Sequence, residues 1–155
     1  MRYLDNVNQS ITERRDIVIE TAFKLFAENR IEPVTMTVVA DNCNMGVASI
    51  YRYFGTKKEL VIAVATKKWR EYYGELQRHY NELNVEKMTA AQELEFYIDR
   101  YIDLYKENSD LLNFNANFSI YIASEDTTKD EMKPYNSIID KFVNKFHILY
   151  KKAQD

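Results

Sequence analysis

The chain has two histidines, His79 and His147, and one cysteine, Cys43, its usual candidates for metal binding or nucleophilic catalysis. None of them has a second His or Cys at a ligand spacing. His79 and Glu82 share a helix face, but such pairs are ordinarily just solvated. With three glycines in all, there is neither a Gly-rich phosphate loop nor a nucleophile elbow. Catalysis, a metal and a cofactor are therefore not expected. Different chemistry is available between residues 47 and 57. Arg52 can fork to O6 and N7 of guanine, and Val47 or Ala48 can meet thymine methyl groups, with Ser49 beside them. Lys57 stands where unpaired helix N–H groups and the helix dipole already favour an anion. Each of these also has a plain reading, a solvated cation or a packed aliphatic. The elements that carry them decide.

Those elements read as helices throughout. Three Gly and two Pro are too few for the turns of a many-stranded β fold. Hydrophobic residues at 46% and charged residues at 29% are ordinary for a soluble globular protein. The longest apolar run, Leu60 to Ala65, is far short of the ~20 residues that cross a membrane. The N-terminus has no apolar core of a secretory signal. The lone Cys43 excludes an intramolecular disulfide and fits a reducing cytoplasm. It reads as a small, buried apolar side chain rather than a redox switch.

Capping boxes mark the helix starts. Ser10-Ile11-Thr12-Glu13 predicts the first helix, with Val18, Ala22, Leu25 and Phe26 on its inner face and an end near Asn29-Arg30. A short helix opens at Thr35 and breaks at Asn44-Met45-Gly46; a second runs from Val47 to about Phe54. Thr56-Lys57-Lys58-Glu59 then opens a long helix, and Thr89-Ala90-Ala91-Gln92 another. Asn108-Ser109 separates that helix from one carrying Leu111, Phe114 and Phe118. The polar stretch from Ser124 to Lys133 reads as a loop or a frayed start before the last helix, on which Tyr135, Ile138, Phe142 and Phe146 fall in register. All-α is the expected class, with three helices followed by four.

Two short helices joined by a tight break, the second followed at once by a capped helix, form a helix-turn-helix, whose second helix enters the major groove. The stretch TMTVVADNCNMGVASIYRYFGTKKEL, Thr35 to Leu60, closely resembles the DNA-binding domain of the TetR (tetracycline-repressor) family. The resemblance rests on Thr35, Val39-Ala40, Ile50-Tyr51, Tyr53-Phe54, Lys57 and Leu60, with Ala22 and Leu25-Phe26 on the first helix, and it covers roughly residues 10–65. Two family glycines are replaced, by Arg30 after the first helix and by Asn44 in the turn. Asn tolerates positive φ, so the turn survives. Gly46 stands at the N-cap of the second helix without a side-chain acceptor.

The resemblance implies a helix-turn-helix domain over residues 1–55 and a helical effector-binding and dimerisation domain over 56–155. It implies that Tyr51, Tyr53 and Lys57 meet phosphates; with the groove-reading Val47, Ala48, Ser49 and Arg52, and with Thr35 and Gly46, they make up the expected DNA-binding set. The partners it implies are double-stranded DNA with a roughly palindromic operator, a second copy of the chain and a small, largely apolar effector that releases a repressor. Two more helices commonly follow in the family and form the dimer interface. With the last residue at Asp155, either the natural C-terminus lies further on or the interface is reduced.

Aromatic residues concentrate after residue 68: Trp69, Tyr72, Tyr97, Tyr101, Tyr105, Phe114, Phe118 and Tyr121 are able to line an effector cavity, with Asn115 as a polar group. The plain reading of such stripes is core. Residues 1–68 carry a balance of +2, residues 69–155 one of −5. The acidic part should therefore face away from a duplex. The competing reading is a helical interaction adaptor that keeps this scaffold but has lost operator binding. Its support is the weak charge of the N-terminal part and the polar-poor second helix.

Overall fold

The computed structural model describes the backbone of residues 2–83 and 85–154, with the side chains of residues 10–83 and 86–154. Among these residues the regular structure is helical: α1 (Arg2–Asn29), α2 (Met36–Asn42), α3 (Val47–Tyr53), α4 (Lys57–Asn81), α5 (Ala90–Glu107), α6 (Ser109–Ser124) and α7 (Lys129–Lys152), with a 3-10 turn at Val85–Lys87.

The starts of α4 and α5 lie where the capping residues put them. Thr56 Oγ1 accepts from the Glu59 N–H at 3.1 Å. Thr89 and Gln92 form a complete reciprocal capping box. The start of α1 is a correction. Ser10 lies inside a helix that already runs from Arg2, so the donors its hydroxyl was expected to satisfy are bonded to the preceding turn. The stretch from Ser124 to Lys133 also resolves: Glu125 to Thr128 is a short connection, and Thr128 with Glu131 makes a second complete capping box at the head of α7. Pro134 sits just inside that helix, where it removes one backbone donor.

Helix α4 is the spine. It packs on α1, α6 and α7, while α5 packs on α7 and α6. Two hydrophobic clusters are strung along it. The first joins α1 (Val18, Ala22, Phe26) to α2–α3 (Val39, Ile50), the first turns of α4 (Leu60, Val61, Val64) and α6 (Leu111, Phe114, Phe118). Each large side chain fully buried there is worth roughly 1.5–3 kcal/mol. This cluster crosses the boundary expected at residue 55, because α6 seats Phe114 against Phe23 and Phe26 of α1 at ring distances of 5.6 and 6.4 Å. The second cluster lies further along α4, where Trp69, Tyr72 and Leu76 meet Tyr97 of α5 and Ile138 and Leu149 of α7.

Charge pairs lock α1 to α4. Lys67 reaches Asp16 at 3.0 Å and Glu20 at 3.3 Å, and Lys68 reaches Glu20 at 2.6 Å. Partial burial pushes the Glu20 carboxyl up, but the two lysines outweigh it and hold it below its ordinary value.

Candidate nucleic-acid interface

Helix α2 begins at Thr35, whose Oγ1 accepts from the Val38 N–H at 3.2 Å. Its inner face buries Met36, Val39 and Ala40. The chain then turns within three residues. The Cys43 N–H is bonded to the carbonyls of Val39 and Ala40, and the Met45 N–H to the Ala40 carbonyl at 3.0 Å. Asn44 takes φ 53°, the left-handed conformation the sequence assigned to it. Cys43 is half-buried against the first cluster. Gly46 caps α3 with extended backbone and no side-chain bond.

On α3, Ile50 is fully buried and Phe54 follows it into the core. That anchoring fixes which residues face out. Val47, Ala48, Tyr51 and Arg52 are exposed, at positions i, i+1, i+4 and i+5 of one face. Val47 is 38% and Tyr51 49% exposed. The structure thus brings Tyr51 onto the face expected to read the groove. Ser49 is half-buried and accepts from Arg52 Nη2 at 3.1 Å, which draws the guanidinium back along the helix.

Tyr53 turns away from that face. Its ring is half-buried beside the first cluster, 6.5 Å from Phe54 and edge-on to it. Its carbonyl accepts from Arg15 Nη1 at 2.7 Å, and the same guanidinium lies 4.5 Å from the Phe54 ring centre. Arg15 of α1 therefore places a positive charge at the carbonyl end of α3, where the helix dipole favours it. No sequence pattern singled out Arg15, because its partner is a backbone carbonyl 38 residues away.

Two lysines open α4, and each is tied to a neighbouring loop. Lys57 Nζ donates to the Glu32 carbonyl at 2.7 Å and lies 5.5 Å from the Tyr121 ring centre. Burial holds its pKa below the ordinary lysine value, against the opposing pull of Glu125 and Glu32. Lys58 Nζ donates to the Asp126 carbonyl at 2.8 Å and pairs with Glu131 at 2.7 Å. Together with the Thr128 donors, Lys58 holds the Glu131 carboxyl at about 2. The head of α4 is thus fastened to the α1–α2 loop on one side and to the α6–α7 connection on the other.

Residues 18–64 match the family described as bacterial regulatory proteins, tetR family. An HTH-type transcriptional regulator of Staphylococcus aureus is 26% identical over 56% of this chain and 49% of its own length. The chain therefore spans about half of that curated relative. Two solved structures share the fold. One is a protein of Saccharomonospora viridis described as a transcriptional regulator in complex with choline, with TM-score 0.68, 17% identity, and coverage of 92% of this chain and 71% of that one. The other is a tetR family transcription regulator of Shewanella sp. PV-4, with TM-score 0.63, 10% identity, and coverage of 91% and 70%.

Residues 18–64 of the chain are similar to the tetR family of bacterial regulatory proteins.

The aromatic residues of the chain divide between the two clusters and the contact that joins α5 to α6. Phe114 and Phe118 belong to the first cluster, with Phe118 5.0 Å from Tyr135. Trp69, Tyr72 and Tyr97 form the second, and Tyr101 joins it through Phe142 at 5.8 Å. Tyr105 connects α5 to α6, its hydroxyl 3.2 Å from that of Tyr101 and accepting from Asn115 Nδ2 at 3.3 Å. Tyr121 packs against the first cluster, beside Lys57. Burial pushes the Tyr101 phenol up to about 12 and carries that of Tyr72 higher still. Phe142 and Phe146 of α7 were read only as a helix face, yet Phe142 is the ring shared by Trp69, Tyr72 and Tyr101. Among the described residues no helix is long and apolar enough to cross a membrane, and no group of acidic, His or Cys side chains is placed to hold a metal.

Proposed function

We propose that this protein is a sequence-specific DNA-binding transcription regulator, acting as a homodimer on a roughly palindromic operator and released from it by a small effector. The observation that carries the reading is the exposed face of α3. Val47, Ala48, Tyr51 and Arg52 project from a helix anchored by Ile50 and Phe54, with Thr35 and Lys57 at the heads of the flanking helices. One short helix reads only a few base pairs, so a two-fold pair supplies the selectivity. Effector control is supported by the aromatic interior around α4, α5 and α7 and by the choline bound to the neighbour from Saccharomonospora viridis. The Lys57–Tyr121 contact supports coupling, since it joins a phosphate-facing candidate directly to α6.

Selection of a site from a random duplex pool, followed by anisotropy titration at two salt concentrations, tests this. Arg52→Ala should cost about 1–3 kcal/mol on the selected site and little on scrambled DNA. Lys57→Ala should weaken both and lower the salt slope by about 1. If the pool yields no site and the chain binds all duplexes alike, the adaptor reading replaces this one.

A further inference from the structure

We propose that α3 reads its half-site mainly through thymine methyl groups, which pack against an apolar patch of Val47, Ala48 and Tyr51, and that Arg52 adds one guanine contact at most. This rests on the DNA-binding reading and gives the operator a chemistry: half-sites rich in A·T pairs, with their 5-methyl groups lining the major groove.

The first turn of a recognition helix comes closest to the base edges. In α3 that turn is formed by Gly46, Val47 and Ala48, none of which carries a side-chain nitrogen or oxygen. Val47 and Ala48 are both exposed, while Ile50 on the opposite side is fully buried. Tyr51 is 49% exposed and stands one turn further on, at i+4 from Val47 and i+3 from Ala48. Side chains at those spacings are neighbours on a helix surface, so the three form one strip.

The polar side chains of α3 are less available. Ser49 is half-buried, and its Oγ accepts from Arg52 Nη2 at 3.1 Å. That bond holds the guanidinium along the helix, beyond the apolar strip, where it can address a single base pair.

In the major groove every base edge shows donors or acceptors, and the 5-methyl of thymine is the only alkyl group. An aliphatic side chain set against guanine O6 and N7, or against the amino group of cytosine, strips water from a polar edge and returns no hydrogen bond. Set against a methyl group, it removes apolar surface from water on both partners. The strip therefore favours thymine at each position it covers and disfavours G·C pairs there.

The test starts from the site that the full chain selects out of a random duplex pool. Each thymine of a half-site is replaced in turn by uracil, which deletes the methyl group and keeps the pairing. In anisotropy titrations at one salt concentration, uracil should weaken binding about three- to fourfold at each position under the strip. Val47→Ala should make uracil harmless at one of these positions, and Tyr51→Ala at another. Tyr51→Phe keeps the ring and should keep the penalty. Loss of the penalty in a variant ties it to that side chain and not to the shape of the duplex. Val47 and Tyr51 are exposed, so the melting temperature should hold steady in these variants. G·C-rich half-sites, uracil tolerated at every position, or penalties that persist in both alanine variants would each overturn the proposal. Any of these still leaves a selected site, and with it the regulator reading. A pool that yields no site overturns both.

Discussion

The two clusters along α4 are built from different materials. Around Phe26, Ile50 and Phe114 the buried members are aliphatic or phenyl side chains with no nitrogen or oxygen, so shape alone decides how they pack. Around Trp69, Tyr72 and Tyr97 most of the buried volume comes from rings that carry donors, and two of those donors are unpaired. The first cluster gathers α1, α2, α3 and α6 onto one end of α4 and so fixes the attitude of the exposed α3 face. A core of that kind is stiff, because any displacement opens a void. The end of α4 that carries α3 is thus the stiffer frame, and one continuous helix joins it to the aromatic cluster.

Truncation should expose the difference most strongly. Phe114→Ala removes a fully buried ring from the first cluster and should cost about 3–5 kcal/mol in urea unfolding. Phe142→Ala, from a half-buried position in the second, should cost less than half as much. Equal losses would mean that the second cluster is as tightly packed as the first, and the contrast would fail.

A smaller effect is expected where α1 ends. Arg30 holds φ 67° in place of the family glycine, a conformation costing a side chain about 1–2 kcal/mol, and its Nε is bonded to Asn117 at 3.3 Å. Arg30→Gly should therefore raise stability by roughly 1 kcal/mol after the exposed bond is lost, read as a higher melting temperature. A fall instead would show that the link from α1 to α6 outweighs the strain.

The smallest effect is predicted for the tie between α7 and the head of α4. Glu131 is held at about 2, first by the Lys58 bond and then by the Thr128 donors. Its contribution is complete above the ordinary carboxylate value near 4.3 and is lost as pH falls towards the folded value. Glu131→Gln should flatten the acid side of the stability profile in that window, and only slightly, because the pair is exposed to solvent. Superimposable acid-unfolding curves would mean that the tie contributes nothing in solution.

Much of the fold was legible because helix signals are local. Thr35, Thr56 and Thr89 marked their helices through hydroxyls that need only the next turn, and Asn44 marked the turn through its own tolerance of positive φ. Ser10 misled for the same reason. A capping pattern is also compatible with a helix interior, and only the residues upstream show that the helix has already begun. Thr128 and Glu131 were present in the sequence as a capping box but stood in a stretch polar enough to read as loop.

The site divided along the same line. The face of α3 followed from helical spacing once Ile50 and Phe54 were taken as core, so the sequence by itself determined the all-α class, the helix-turn-helix and most of the side chains it presents. Only the tertiary structure decided what those side chains touch. Arg15 reaches the Tyr53 carbonyl, Lys57 reaches Glu32 and Tyr121, and Lys58 reaches Asp126 and Glu131, each across a long stretch of chain. The aromatic stripes likewise came from periodicity, but their division between two clusters, and the two donors left unpaired in one of them, arose from how α4, α5, α6 and α7 meet. Local propensity and spacing act within a few residues. The pairing of a buried polar group depends on whichever distant segment packs against it.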